Sequence, residues 1–315
     1  MGISQLPPQP VIYIIEPFGG SVRRQNANLP HIFWDDAAVT RGDGVFETVL
    51  VRGGRPANLD AHFKRFARSA RLLDLPEPKK EQWIDATREA INDFIHDRGI
   101  SQGKELPDAK CTWTYTRGRQ STGVPTAWLT LRDIDAEVID QRKRGVKVMT
   151  APRGYSITQD VSEAGKSSES APWMAVGAKT LNYAANMAAL RWAKQHDFDD
   201  VIYIDPKTSQ VLEGATSTVI VVKKGERLRT PTAGGQVLQG TTQKAIFDYA
   251  TEKGWRCKMR DVYLDDLLKA ESVWLVSSVR MAVRMTRIDD EKMPAPSNEA
   301  EIRALINAAM DAKLS

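Results

Sequence analysis

The sequence is poor in cysteine. Among 315 residues only Cys111 and Cys257 occur, and they lie far apart. That excludes a disulfide framework and a paired-cysteine zinc site, fits a reducing compartment, and leads to the expectation of no metal centre. Long apolar runs are missing as well: no stretch reaches the ~18–20 residues that a membrane span needs. The opening MGISQLPPQPVIYIIEP lacks a basic segment followed by a long apolar one, so no signal peptide is read there. Leu6 stands where a myristoylation start needs Ser or Thr. Strong charge is also absent. Lys and Arg number 44 against 40 Asp and Glu, a net +4, which is too little to mark a nucleic-acid partner. There is no internal repeat and no low-complexity tract. These absences lead to the expectation of a cytoplasmic protein with neither nucleic acid nor membrane as partner.

What is present is ordinary globular material. Hydrophobic residues make up 42% and charged residues 27%, enough for two cores in a chain of this length. Val11–Ile15 and Val45–Val51 read as strands, with Gly19-Gly20 and Gly53-Gly54 as turn signals. Leu59, Phe63, Phe66, Ala70 and Leu73 recur at helical spacing, and Asn58 or Asp60 is placed to cap that helix. A second helix is expected over about 81–97. Lys110–Tyr115 and Thr126–Leu131 read as strands. Asp133–Gly145 is highly charged and reads as an interdomain linker, dividing a first domain (1–132) from a second (146–315). Ser156–Ala171 is polar and without period, a loop of the kind that closes over a site. After it come a helix (183–196), strands (201–204 and 218–222), helices (242–253 and 264–269) and a strand (272–276). Strands and helices mix without strict alternation, which implies an α+β fold with antiparallel or mixed sheets.

Four segments carry candidate chemistry. Lys179, in Gly-Ala-Lys-Thr-Leu-Asn-Tyr, follows small residues and precedes a helix. It is either a solvated first-turn lysine or a Schiff-base lysine. Glu213, before Gly-Ala-Thr-Ser and between two strands, is either a turn residue or a buried acid that holds a protonated heterocycle. Gly240-Thr241-Thr242 stands directly before a helix. It is either a plain threonine N-cap or a phosphate cradle of helix-start N–H groups and hydroxyls. Arg65, in His62-Phe-Lys-Arg, lies beside the apolar helix face, either as a surface arginine or as a phosphate fork. Lysine, acid, cradle and arginine together are the set that pyridoxal phosphate requires.

The same residues carry a resemblance to the class IV aminotransferases, the fold-type IV pyridoxal-phosphate enzymes. This family includes branched-chain aminotransferases, D-amino-acid transaminases and 4-amino-4-deoxychorismate lyases. Gly42-Asp-Gly-Val-Phe-Glu-Thr is similar to the family's early motif, and His62-Phe-Lys-Arg65-Phe-Ala-Arg-Ser-Ala to its arginine helix. Lys179-Thr-Leu-Asn-Tyr183, Leu212-Glu213-Gly, Gly240-Thr241-Thr242 and Val276-Ser277-Ser278 are similar to its lysine, acid and phosphate segments. The resemblance implies a smaller N-terminal domain and a larger C-terminal domain with a mixed, barrel-like sheet that carries the Schiff-base lysine. It implies a homodimer, amino-acid and keto-acid substrates, and pyridoxal 5′-phosphate as cofactor. By this resemblance Lys179 is the catalytic amine and base, and Glu213 holds the ring nitrogen. Tyr183 faces the ring oxygen, while Arg65, Gly240, Thr241, Thr242 and Ser278 hold the phosphate. The sequence departs from the pattern at Thr218, where the family has Asn, at Gln239-Gly240 and at Gln243. The loop after Thr116 lacks the histidine of D-amino-acid transaminases; Arg117 and Arg119 are its carboxylate-binding candidates, or else solvated loop residues. The implied activity is transfer of an amino group from an amino acid to a 2-oxo acid. The alternatives are aminodeoxychorismate lyase, releasing pyruvate and 4-aminobenzoate for folate synthesis, and a catalytically silent cofactor-binding protein.

Overall fold

Period-two alternation builds the first sheet. The computed structural model describes all residues except 1–8, 17–19, 101–105, 154–159, 162–166, 169–174, 176 and 233–236. In β1 (Val11–Ile15), Val11, Tyr13 and Ile15 are buried while Ile12 and Ile14 are only half-buried. Then follow β2 (Val22–Gln25), α1 (Ala37–Arg41), β3 (Gly44–Arg52) and β4 (Arg55–Pro56). Gly53 and Gly54 both have positive φ, 55° and 73°, as a two-residue hairpin turn between paired Arg52 and Arg55 demands. Next come α2 (Leu59–Leu72), α3 (Lys80–Asp97), β5 (Ala109–Thr116) and β6 (Thr126–Asp133). The strands form one antiparallel sheet in the order β2-β1-β6-β5-β3-β4. Helix α2 packs on β3, and α3 on β1 and β6. Phe66 anchors this core, its ring 4.7 Å from Trp83 and 5.6 Å from Trp113, both edge-on.

Asn58 does occupy the N-cap position of α2, but its side chain makes no capping bond. Its backbone is left-handed at φ 56°, a conformation asparagine tolerates. Two distant pieces of chain join this first unit. Thr180 bridges to Val45 in the segment Lys179–Asn182, and Leu314 bridges to Ala57. Sequence order places Lys179 in the second half of the chain, yet it belongs to the first unit.

The second unit comprises Ala136–Ala178 and Tyr183–Lys313. It opens with α4 (Ala136–Arg144), in the segment whose charge reads as a linker. The charges suit a helix. Glu137 lies in the first turn and Arg142, Lys143 and Arg144 in the last, each favoured by the helix dipole, and Arg144 pairs with Asp140 four residues earlier at 2.5 Å. Then come β7 (Val146–Pro152), the short pair β8 (Asp160–Val161) and β9 (Ser167–Ser168), α5 (Ala184–Gln195), β10 (Asp200–Ile204), β11 (Val211–Gly214), β12 (Thr218–Lys223) and β13 (Arg227–Thr230). The chain continues through α6 (Thr241–Glu252), β14 (Arg256–Met259), α7 (Leu264–Leu268), β15 (Ser272–Ser277), β16 (Met281–Ile288), β17 (Glu291–Lys292) and α8 (Glu299–Asp311). Of the loop expected at Ser156–Ala171, all but β8 and β9 lies outside the described residues.

The second sheet runs β11-β10-β7-β16-β15-β12-β13-β14, with β17 beside β16. It is mixed: β10/β7, β7/β16 and β13/β14 are parallel and the other pairs antiparallel. The β-branched runs of β12 and β15 are buried along nearly their whole length, as a sheet covered on both faces requires. Ile246 and Ala250 of α6 and Ile302 and Ile306 of α8 pack against Trp274 on one side. Val146, Val219, Val273 and Met285 fill the other. Among the described residues, no helix is long and apolar enough to cross a membrane.

Candidate active site

In the first unit, one face of α2 carries the polar residues. His62, Arg65 and Ser69 recur at spacings of three and four, so they share a side of the helix, while Leu59, Phe66 and Ala70 go to the core. The Ser69 hydroxyl accepts the Lys179 amide N–H at 3.0 Å. The Phe46 amide donates to the Lys179 carbonyl at 3.0 Å, and the Leu181 amide to the Gly44 carbonyl at 2.9 Å. The lysine backbone is therefore pinned from both sides. A Cβ on Gly44 would come within 2.8 Å of Leu181 Cδ1 and of the Tyr115 carbonyl, so glycine is what lets the lysine segment approach β3. Lys179 Nζ lies 4.2 Å from the centre of the Phe46 ring, a cation–π contact.

Phe46 and Glu47 are neighbours on a strand, so their side chains point to opposite faces. Glu47 points to α2 and is wholly buried. Its carboxylate accepts Arg65 Nε at 2.6 Å, Arg65 Nη2 at 2.8 Å and His62 Nδ1 at 2.8 Å. Burial alone pushes the Glu47 pKa up, but the Arg65 charge and the hydrogen bonds from Arg65 and His62 outweigh it, holding the carboxyl well below the usual range. Burial pushes His62 down from its usual 6.5, with Glu47 opposing in part. Both shifts have the same consequence. As pH falls below about 6.5, the unfolded chain takes up a proton that folded His62 does not, and below about 4.5 the same begins for Glu47. Stability is thus kept at neutral pH and lost on acidification. The expected result is a Tm that falls between pH 7.5 and 5.5, and a flatter profile in His62→Asn, which keeps a donor near the Nδ1 position. Parallel profiles for the two proteins would contradict this.

The loop after β5 holds the two candidate carboxylate ligands. Arg117 Nε bonds Asp43 at 2.8 Å, and the same guanidinium donates to the Leu73 and Asp74 carbonyls just beyond α2. Arg119 pairs with the buried Asp35 at 3.0 Å and lies 4.0 Å from the Phe33 ring centre. The sequence alone did not disclose these partners.

In the second unit, Glu213 sits on β11 with its side chain 24% exposed. Arg153 Nη2 donates to one carboxylate oxygen at 2.7 Å, and the Leu238 amide donates to the other at 3.2 Å. Two donors from different segments therefore fix the plane of the acid. Gly240 is the N-cap residue of α6; Thr241 and Thr242 follow inside its first turn, both buried, so neither threonine is the N-cap. Glycine has no side chain with which to cap this helix. A Cβ on Gly240 would stand 2.6 Å from Thr218 Oγ1, so only glycine permits the approach. A helix start with glycine at its N-cap and threonine hydroxyls beside it is chemically suited to a phosphate. Ser278, just past β15, is buried, and Tyr183 is half-buried directly before α5.

Two features escaped the sequence reading. Arg153 follows a strand with nothing local to mark it as a partner of Glu213. The Glu47 cluster left one signal, a lone carboxylate in the apolar run Val-Phe-Glu-Thr-Val-Leu-Val. No group of three or more potential metal ligands occurs among the described residues.

Comparison with known proteins places these groups in context. The family model described as amino-transferase class IV matches residues 44–288, and the chain belongs to that family. It is 36% identical over 288 residues to the bifunctional aminodeoxychorismate lyase / D-amino acid transaminase of Mycobacterium tuberculosis, spanning 90% of this chain and 94% of that one. Among solved structures, a hypothetical aminotransferase from Mycobacterium tuberculosis in its PLP-bound form superposes with a TM-score of 0.85 at 34% identity, covering 96% of this chain and 99% of the other. A fold IV-transaminase from Curtobacterium pusillum gives 0.82 at 36% identity, covering 95% and 98%. The mixed helix–sheet architecture agrees with the fold that the sequence implies.

Proposed function

We propose that this protein is a pyridoxal-phosphate enzyme that transfers the amino group of an amino acid to a 2-oxo acid. The observation that carries the reading is the fixed backbone of Lys179, inside the stretch matched by the class IV model, with its Nζ against the Phe46 ring. The fit of a phosphorylated cofactor is supported by the start of α6, where the N-cap residue is a glycine without a side chain and two buried threonines follow it. When bound, the cofactor supplies a ring that accepts the electrons left by the Cα proton. Lys179 supplies the amine that tethers it and then the base that removes and returns that proton. Glu213, oriented by Arg153 and the Leu238 amide, holds the proton on the ring nitrogen. Arg65, Thr241, Thr242 and Ser278 hold the phosphate, and Tyr183 faces the ring oxygen. The substrate carboxylate is assigned to Arg117 or Arg119, the cations of the loop after β5. A homodimer and a cytoplasmic location complete the reading.

A second reading has its own support. The Mycobacterium tuberculosis relative is named for aminodeoxychorismate lyase as well as for D-amino acid transaminase. One assay separates the two. Purified protein is given D-alanine or L-leucine with 2-oxoglutarate, and separately aminodeoxychorismate without any keto acid. Catalytic glutamate formation is the expected result. Equimolar pyruvate and 4-aminobenzoate over many turnovers, with no glutamate, would make the protein a lyase.

A further inference from the structure

Glu47 carries a wholly buried carboxylate in the first unit that the proposed chemistry does not employ. Its exposure is 0%, His62 is at 1%, and the Arg65 side chain is at 11%. Placing a carboxylate there is costly unless its neighbours repay the lost hydration. The Arg65 fork, the His62 ring N–H and the Thr48 amide at 3.3 Å converge on it. A surface salt bridge tolerates many geometries; this one does not. Two parallel bonds from Nε and Nη2 fix the guanidinium plane, and His62 fixes the carboxylate from the same helix face.

The neighbouring residue makes the arrangement more telling. Phe46 takes the Lys179 carbonyl on its amide and the lysine ammonium on its ring, while Glu47 takes Arg65. A strand dipeptide thus reaches two residues that the family resemblance assigns to one cofactor. Helix α2 repeats the pattern four residues apart, with Arg65 on Glu47 and Ser69 on Lys179.

We propose that Glu47 is a positioning residue which, with His62, sets the guanidinium of Arg65 in place to receive the cofactor phosphate. This rests on the cofactor reading given above. The role is indirect: Glu47 acts through Arg65, so its loss weakens recognition of the phosphate and not of the rest of the cofactor. A preset cation avoids reorganisation when the anion arrives, which is where the gain in affinity lies.

The test compares pyridoxal phosphate with pyridoxal, which lacks the phosphate. Apoprotein is titrated with each, and binding is followed by absorbance and by borohydride-trapped label. In Glu47→Gln, affinity for pyridoxal phosphate is expected to fall at least about 10-fold while affinity for pyridoxal changes less than about 3-fold. Glu47→Asp keeps the buried charge and serves if the glutamine variant does not fold. It retracts the carboxylate and is expected to show the same selective loss. In an Arg65→Met background, Glu47→Gln should add nothing further, as two residues acting through one contact require. Equal losses for both ligands, or no loss, would overturn the positioning role alone. A wild-type protein with no preference for the phosphorylated ligand would overturn it together with the cofactor assignment.

Discussion

Lys179→Ala is expected to lower the rate of amino transfer by about three to four orders of magnitude while leaving the protein folded. The reason for the first half is chemical. The lysine is assigned two jobs, tethering the cofactor and moving the Cα proton, and alanine can do neither. The second half follows from the structure. The contacts that hold the segment to β3 and α2 run through the backbone: Lys179 N to Ser69, and the Lys179 carbonyl to Phe46. Alanine keeps both. Among the side chain's contacts, that with the Phe46 ring is worth about 0.5–1 kcal/mol at a partly exposed site. A Tm within a few degrees of wild type, together with loss of the absorbance band above 400 nm, is the expected pair of results. Retained turnover would remove Lys179 from the mechanism.

Glu213→Gln should be the next most damaging change, with turnover down by about 100-fold and much of the cofactor binding retained. Glutamine keeps the shape of the side chain but cannot hold a proton on the ring nitrogen by charge. The same substitution takes the counter-ion from Arg153, whose side chain is 8% exposed. A modest fall in stability is therefore expected as well, because a largely buried cation is left with weaker partners. The two effects separate experimentally: kcat at saturating cofactor reads the first and thermal unfolding of the apoprotein the second. Full activity in this variant would show that another group governs the ring nitrogen.

The local elements were legible in the sequence wherever one period dominated. Leu59, Phe66 and Ala70 announce α2 by their spacing, and the apolar runs of β12 and β15 announce covered strands. Asp133–Gly145 reads as a linker from its charge; most of it forms α4, a helix so polar that Gln141 is its one buried residue. Residue type makes Asn58 or Asp60 a candidate side-chain cap, but it does not fix the backbone conformation in which Asn58 arrives. The motifs single out Lys179, Glu213, Arg65 and Gly240 individually as candidates. What the sequence could not supply were the relations that depend on tertiary approach. Lys179 joins a strand more than 130 positions earlier, Arg153 reaches Glu213 across the second sheet, and Glu47 meets an arginine on the next helix. The last was nearly readable, since a lone carboxylate in a buried strand must have a partner. Which partner it has depends on how α2 lies on β3.

The assignment of Lys179 as the tether is the claim on which the rest depends. The most direct test is to reduce the yellow holoprotein with borohydride, digest it, and locate the phosphopyridoxyl group by peptide mass spectrometry. The predicted result is one labelled peptide with the group on Lys179, absent when reduction follows removal of the cofactor. Label on a different lysine, or a protein that takes up pyridoxal phosphate without any lysine being labelled, would contradict the account.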